Sequence, residues 1–451
     1  MKEFTDQDIE HIRDIIGRDD SDQARRELDA MHPADIAELY QSLDLQQAEY
    51  LFRLLDEEKA ADVLMELDED DRLRLLEGMP TEEIVKQIEH LDSDDAVDVI
   101  QQLDEDDRDE ILSQIEDVEQ AGDIIDLLKY DKDTAGGLMG TEMIVVNENM
   151  SMPECVKEMR AQAEEMDEIY YVYVVDNDYK LRGTFPLKKM ITHPSVSKIK
   201  HVMETDPVSV KVDTPIDDVA LDFEKYDLVA MPVVDSIGRL LGRITVDDVM
   251  DQVRESQERD YQLASGISSD VDADDSILAQ TKARIPWLLI GIASGILASV
   301  ILGGFEDQLH AVTALALFIP IIAGTGGNVG VQASAIVVQG LANGSLDIKD
   351  FATQLGKEVL IGLLNAAVLS AVMLAYNLLF LPDDLMVTLT VATTVFAVVM
   401  IGSILGTVIP LTLEKLHINP ALATGPFIQV SNDIIGLIIY VYIANLYLHF
   451  V

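Results

Sequence analysis

The sequence predicts a multidomain membrane protein with an all-α amino-terminal solenoid of helical hairpins, two tandem α/β units, a connecting helix and a five-helix transmembrane domain. Three observations predict it. A twelve-residue beat runs through residues 43–116, two segments 59 residues apart repeat one another, and five long apolar stretches follow Arg284. Charge divides along the same line. The 451 residues carry a formal net charge of −50; residues 285–451 hold nine acidic and three basic residues, leaving 73 acidic and 29 basic ones, a net of −44, before them. A surface this acidic repels nucleic acid and anionic lipid and attracts cations. The single cysteine, Cys155, excludes a disulfide framework and a thiolate metal cluster. The opening Lys2-Glu3-Phe4-Thr5-Asp6 has no apolar signal-peptide core, so the acidic half is expected to stay in the cytosol.

The beat defines the first element, an acidic helical domain over 1–132. Its pairs are Leu43-Asp44, Leu55-Asp56, Leu67-Asp68, Met79-Pro80, Leu91-Asp92, Leu103-Asp104 and Ile115-Glu116. Each Asp is placed to cap a short helix, and Asp44-Leu45-Gln46-Gln47 has capping-box spacing. Apolar residues then recur at helical intervals, as in Ala60, Val63, Leu64 and Leu67. Two helices per 24 residues stack as hairpins that bury only their neighbours' faces. Asp133-Thr134-Ala135-Gly136-Gly137-Leu138-Met139 reads as a flexible joint. Beyond it, Tyr171-Val172-Tyr173-Val174-Val175-Asp176 aligns with Ala230-Met231-Pro232-Val233-Val234-Asp235, placing two similar units at 138–200 and 201–255. Each reads helix, apolar strand, turn, strand, helix, and the pair resembles tandem CBS domains, regulatory modules that pair between subunits and sometimes bind adenine nucleotides. Residues 245–284 read as a polar connecting helix and linker leading to the membrane.

The transmembrane domain occupies 285–451, with spans at about 286–304, 311–340, 356–381, 385–413 and 420–448, each near the ~20 residues a bilayer requires. Lys282 and Arg284, Lys349, and Lys415 mark alternate loops, while 304–309 and 381–384 have no Lys or Arg. The positive-inside rule then puts the amino terminus in the cytosol and the carboxyl terminus outside a cell membrane. Five spans cannot be two internal repeats, so a pore more naturally forms between two copies of the chain.

The second span carries four glycines, a proline and two amides between Pro320 and Gln332. Such a segment either breaks the helix against a cavity or packs it closely on its neighbours; on the first reading Asn328 and Gln332 line a pore. In the fifth span Asp433 is the only carboxylate placed deep in the membrane, where an ionisable group costs roughly 2.5–3.5 kcal/mol or more. Asn419-Pro420 and Gly425-Pro426 lie to its cytosolic side, where proline frees carbonyl oxygens, and Asn432 adjoins it. Carboxylate, amide and carbonyl oxygens without a His or Cys cluster suit a hard cation such as Mg²⁺. The alternative is a protonated Asp hydrogen-bonded across helices. Two copies would bring two carboxylates to one hydrated divalent ion. No nucleophile–base pair, phosphate-binding loop or ATPase motif stands out, so an enzyme is not expected. A secondary transporter coupling H⁺ or Na⁺ to a divalent metal remains the alternative function.

Taken together, the chain resembles the MgtE-type magnesium channel/transporter family. The residues that carry the resemblance are His32-Pro33-Ala34-Asp35-Ile36, Thr134-Ala135-Gly136-Gly137-Leu138-Met139, the two CBS-like units, Gly324 to Gln332, and Ser431-Asn432-Asp433 with Gly436-Leu437-Ile438-Ile439-Tyr440. The resemblance implies a homodimer in the lipid bilayer, carrying Mg²⁺ into the cytosol past Asp433 and closed by cytosolic Mg²⁺. The regulatory ligands it implies are Asp62, Asp94 and Asp98 in the solenoid, Asp217 and Asp227 in the second CBS unit, and Asp248, Asp251 and Asp260 on the connecting "plug" helix. The chain departs from the family pattern where Ser256, Arg259 and Asn419 replace expected acids. Leu228 also stands where the implied adenine-nucleotide site would have an aromatic.

Overall fold

A computed structural model describes residues 6–18, 20–163, 166, 169–192, 197–269, 271–272, 275–305, 312–346, 349, 351–380 and 385–449. Loop residues 306–309 and 381–384, expected to lack positive charge, lie outside these. The chain divides into two compact units, Met1–Val253 and Arg254–Val451.

The first unit begins with ten short helices: α1 (Asp6–Gly17), α2 (Ser21–Asp29), α3 (Pro33–Gln41), α4 (Leu45–Phe52), α5 (Glu57–Glu66), α6 (Glu69–Glu77), α7 (Thr81–Ile88), α8 (Ser93–Gln102), α9 (Glu105–Gln114) and α10 (Val118–Leu127). From α3 onward, helices pack on those two places along: α3 on α5, α5 on α7, α7 on α9, and α8 on α10. That is the hairpin stack the beat predicts. Ile36, Leu64, Ile88 and Ile100 fill its fully buried core.

The caps are more selective than the beat suggests. Asp44 forms a full capping box with Gln47, and Asp56 accepts from the Lys59 amide. Asp68 and Asp92 stand at the N-cap position without capping, because their carboxylates are engaged elsewhere. Asp68 accepts from the Gln41 amide at 3.1 Å, and Asp92 pairs with Arg243 at 3.4 Å. Asp104 also makes no cap bond, and α10 is capped by Asp117 rather than Glu116.

The segment read as a flexible joint is tied down. Ala135 and Gly136 donate to the carbonyls of Thr214 and Val212, and Gly140 exchanges two 2.9 Å backbone bonds with Arg243. Each α/β unit also has a short parallel strand ahead of its first helix that the periodicity does not reveal. The first unit runs β1 (Ile144–Asn147), α11 (Met152–Gln162), β2 (Val172–Val175), β3 (Leu181–Phe185), α12 (Leu187–Thr192) and β4 (Glu204–Thr205), with sheet order β1-β2-β3-β4. The second runs β5 (Val210–Lys211), α13 (Ile216–Tyr226), β6 (Ala230–Val234), β7 (Leu240–Thr245) and α14 (Val246–Ala264), with order β5-β6-β7. The repeat extends to irregularities: register shifts fall at Val174/Val175 and at Val233/Val234. The first unit has its own core around Cys155, Val172 and Phe185. The second shares a continuous core with the solenoid through Val219, Phe223, Met231 and Ile244. This shared core brings α14 up to α8.

The second unit contains five helices long and apolar enough to cross a membrane: Ile277–Gly303, Thr313–Ala342, Phe351–Phe380, Leu385–Lys415 and Gly425–Tyr447. They are called the first to fifth spans. A 3₁₀ turn over Thr313–Phe318 opens the second, and another over Pro420–Ala423 precedes the fifth. The glycine-rich segment does not break the second span, which is helical from Ile319 to Ala342. Its glycines serve close packing instead. A Cβ at Gly326 would lie 2.5 Å from Val398 Cγ1, and one at Gly402 would lie 2.8 Å from the Gly326 carbonyl. Gly406 meets the Gly330 carbonyl in the same way. Only small residues allow backbones this near.

Candidate metal centres

Asp433 is the ninth residue of the fifth-span helix, about 12 Å along it at ~1.5 Å per residue. Its Oδ1 is buried and takes no hydrogen bond from the protein. A Cβ at Gly327 would lie 2.9 Å from that oxygen, so glycine here leaves the carboxylate room against the second span. Asn432 is buried with its Nδ2 likewise unpartnered, pressed against Gly330. Orphaned polar atoms are costly in a packed interior, and each calls for a water, an ion or another partner. Tyr440, two turns further on, donates to the Leu315 carbonyl at 2.6 Å and pins the fifth span to the turn opening the second.

The amino-terminal end of this helix is held tightly. Asn419 Oδ1 accepts from the Ala421 amide and its Nδ2 donates to Asp260 Oδ1, both at 2.8 Å. Gly425 has φ +43° and abuts the Ala264 carbonyl. A side chain there would face both strain and collision. Gly266, at φ +82°, seats Pro426, whose Cγ would be 2.6 Å from an added Cβ. The end of α14 thus interlocks with the turn that starts the fifth span.

A second centre lies in the other unit, where α8 meets the start of α14. One carboxylate oxygen each from Asp92, Asp94 and Glu142 fall within 4.8 Å of one another. Burial pushes Asp94 well up, with Asp248, Asp95, Glu142 and Asp92 adding repulsion. Asp95 is pushed up to about 7, first by burial and then by Asp248, Asp92 and Asp98. Asp98 is raised by burial against the opposing pull of Lys132 and Arg72. Asp248 is raised by burial and by Asp247, while its hydrogen bonds from Thr245 act downward. Glu142 accepts from the Ser93 amide and hydroxyl at 3.0 and 2.9 Å, fixing its carboxylate at the start of α8. Crowded hard oxygens that hold one another's protons fit a divalent cation, which would replace those protons.

With that geometry in view, the comparisons with known proteins agree across the chain. Residues 31–133 match the MgtE intracellular N domain, 135–194 and 199–255 match the CBS domain, and 319–443 match the MgtE divalent cation transporter family. The magnesium transporter MgtE of Thermus thermophilus is 35% identical over 329 residues, covering 71% of this chain and 72% of that protein. The chain belongs to the MgtE family. The Bacillus subtilis magnesium transporter MgtE is 31% identical over 323 residues, 72% of this chain and 71% of that one. Among solved structures, the cytosolic domain of the Mg²⁺ channel MgtE in complex with ATP superposes with a TM-score of 0.51 at 31% identity, over 53% of this chain and 98% of that chain. This MgtE-family chain is therefore a multi-pass membrane protein with CBS domains.

Of the implied regulatory ligands, the structure gathers Asp94, Asp98 and Asp248. Asp62 on α5 and Asp251 on α14 are exposed, and Asp217 and Asp227 stand at opposite ends of α13, the latter at φ 51°. Asp260 belongs to the other unit, bonded to Asn419. Asn328 and Gln332 lie on an exposed side of the second span, away from the glycines that pack. Sequence reasoning missed Asp92, Asp95 and Glu142. It also passed over Glu358. Glu358 is buried within the third span, whose helix starts at Phe351, five residues before the apolar run that was read as its beginning.

Proposed function

We propose that this MgtE-family chain works as a homodimeric channel that carries Mg²⁺ into the cytosol and is closed by cytosolic Mg²⁺. The observation that carries the reading is the buried, unpartnered Asp433 carboxylate oxygen in a membrane helix. Two copies would present two such carboxylates to one ion. Mg²⁺ sheds its waters reluctantly, so the pair would hold it through its hydration shell and release it readily. The first span has none of its apolar window buried within the chain and the third only 11%, which leaves lateral surface for lipid and for a second copy.

Closure rests on the acidic cluster. Without a cation, Asp94, Asp95, Asp98 and Asp248 repel one another. Two carboxylates about 4 Å apart do so by roughly 4 kcal/mol at an effective dielectric near 20, and by less where water screens them. A divalent ion binds the compact arrangement of α8 and α14 better than the separated one and so shifts the population toward it. Helix α14 runs from Val246 to Ala264, and Asp260 near its end bonds Asn419. An adenine nucleotide at the CBS units is supported only by the solved relative, which is described in complex with ATP.

The test is Mg²⁺ flux into proteoliposomes across a voltage step, without a proton or sodium gradient. Flux that persists supports a channel. Flux that requires either gradient would replace this reading with coupled transport.

A further inference from the structure

Glu358 takes no part in the ion path proposed above, yet it is 6% exposed and sits in the third span. The third span packs on the fourth in antiparallel fashion. Ser370 donates to the Ala392 carbonyl at 2.8 Å, and further along a Cβ at Gly362 would lie 3.0 Å from Ser403 Oγ. Continuing that register one turn sets Glu358 opposite Thr407, with Ser403 beside its carboxyl. Ser403 and Thr407 are completely buried; the Ser403 hydroxyl lies within hydrogen-bonding reach of the Glu358 carboxyl, and the Thr407 hydroxyl has no partner among the described residues. Gln354, one turn before Glu358 on the same face, is buried too.

The charges nearby do not neutralise this carboxylate. Lys357, next to it, is exposed, and no ion pair to Glu358 occurs among the described residues. The other titratable group of the third span is Tyr376, towards its opposite end; the fourth span has Glu414 and Lys415, about two turns beyond Thr407 and at the same end as Glu358. A carboxylate in this setting is costly unless a positive charge joins it. One negative charge matches one positive charge; a divalent ion would leave a net charge in the same low dielectric.

We propose that Glu358, Ser403 and Thr407 form a monovalent-cation site, for a proton or Na⁺, between the third and fourth spans. It lies on a different face of the fourth span from Gly402 and Gly406, which meet the second span. The site depends on the helices crossing a bilayer, and not on which ion passes Asp433.

The test uses the full-length protein in detergent. Its melting temperature is measured in NaCl against choline chloride at equal ionic strength, and across a pH series, for wild type, E358Q and S403A/T407A, with D433N as control. A ligand bound only by the folded state raises the melting temperature. Wild type and D433N should melt higher with Na⁺, or with acid by more than the Asp94, Asp95, Asp98 and Asp248 cluster provides; E358Q should lose the Na⁺ shift or that added part of the acid shift, and S403A/T407A should keep only part of it. A loss in E358Q confined to the Na⁺ response assigns Na⁺, and one confined to the pH response assigns the proton. A wild type indifferent to both, or an E358Q that keeps the full shift, overturns the proposal. Should E358Q fail to fold, an undiminished shift in S403A/T407A overturns it equally. Failure here leaves the Mg²⁺ reading standing, since flux through the Asp433 variants decides that separately.

Discussion

The two carboxylate settings in this chain differ in number and company. At the meeting of α8 and α14, four aspartates crowd together and burial holds all of them above the usual carboxylate range. In the fifth span a single aspartate stands between glycine and an amide, with one oxygen bare. The difference teaches what each can do with the same ion. On the proposed function, several charges in one place would bind a divalent cation tightly enough to act as a switch, whereas one charge per chain would let it go. A sensor must hold and a path must release.

The sharpest way to break the comparison is at Asp433. D433A should lower Mg²⁺ flux in proteoliposomes by about tenfold or more, the equivalent of losing roughly 1.4 kcal/mol of ligand energy. D433N keeps the shape and loses the charge, so it should fall nearly as far; full flux in either variant would remove Asp433 from the path. Next comes the sensor. Added Mg²⁺ should protect residues 245–262 from proteolysis in wild type, and D94N/D248N should abolish that protection. Equal cleavage with and without Mg²⁺ in wild type would sink the switch.

A smaller effect follows from pH. Asp95 titrates near 7 in the folded chain against about 3.9 when unfolded, so the folded state holds a proton that the unfolded state releases. Stability is therefore fully present below the unfolded value and is lost as pH rises through about 7. Circular-dichroism melts in detergent should show this decline without Mg²⁺ and its reversal with Mg²⁺, most strongly on the alkaline side. Smallest is G330A, which forces a methyl against the Asn432 amide. Overpacking of this kind costs about 1–3 kcal/mol and should appear as a lower melting temperature.

Much of the architecture was legible because it repeats. The twelve-residue beat and the 59-residue offset are periodic, and period is what a single sequence displays best. The capping pattern was less so, since whether Asp92 caps α8 depends on Arg243, a residue 151 positions away. The same distance hid Glu142 and Asp95. Their neighbours are set by how the solenoid shares a core with the second α/β unit, and no local spacing reports that. Gly324 to Gln332 left breakage and close packing both open, with breakage against a cavity the favoured reading. The decision rested on the fourth span, whose Gly402 and Gly406 supply the matching flat surface. Glu358 escaped because it is the third residue of the 356–381 stretch, and hydropathy does not show which side chains near the end of a span face protein.

The Gly402 and Gly406 contacts have a mechanical consequence. Where side chains interleave, two helices can slide by exchanging rotamers, as gears slip on worn teeth. Here backbone rests on backbone, so there is no deformable layer to yield. The second and fourth spans would then travel as one rigid strut. Any widening of the path past Asp433 would come from the fifth span swinging away from that strut, with Gly425 as the natural pivot.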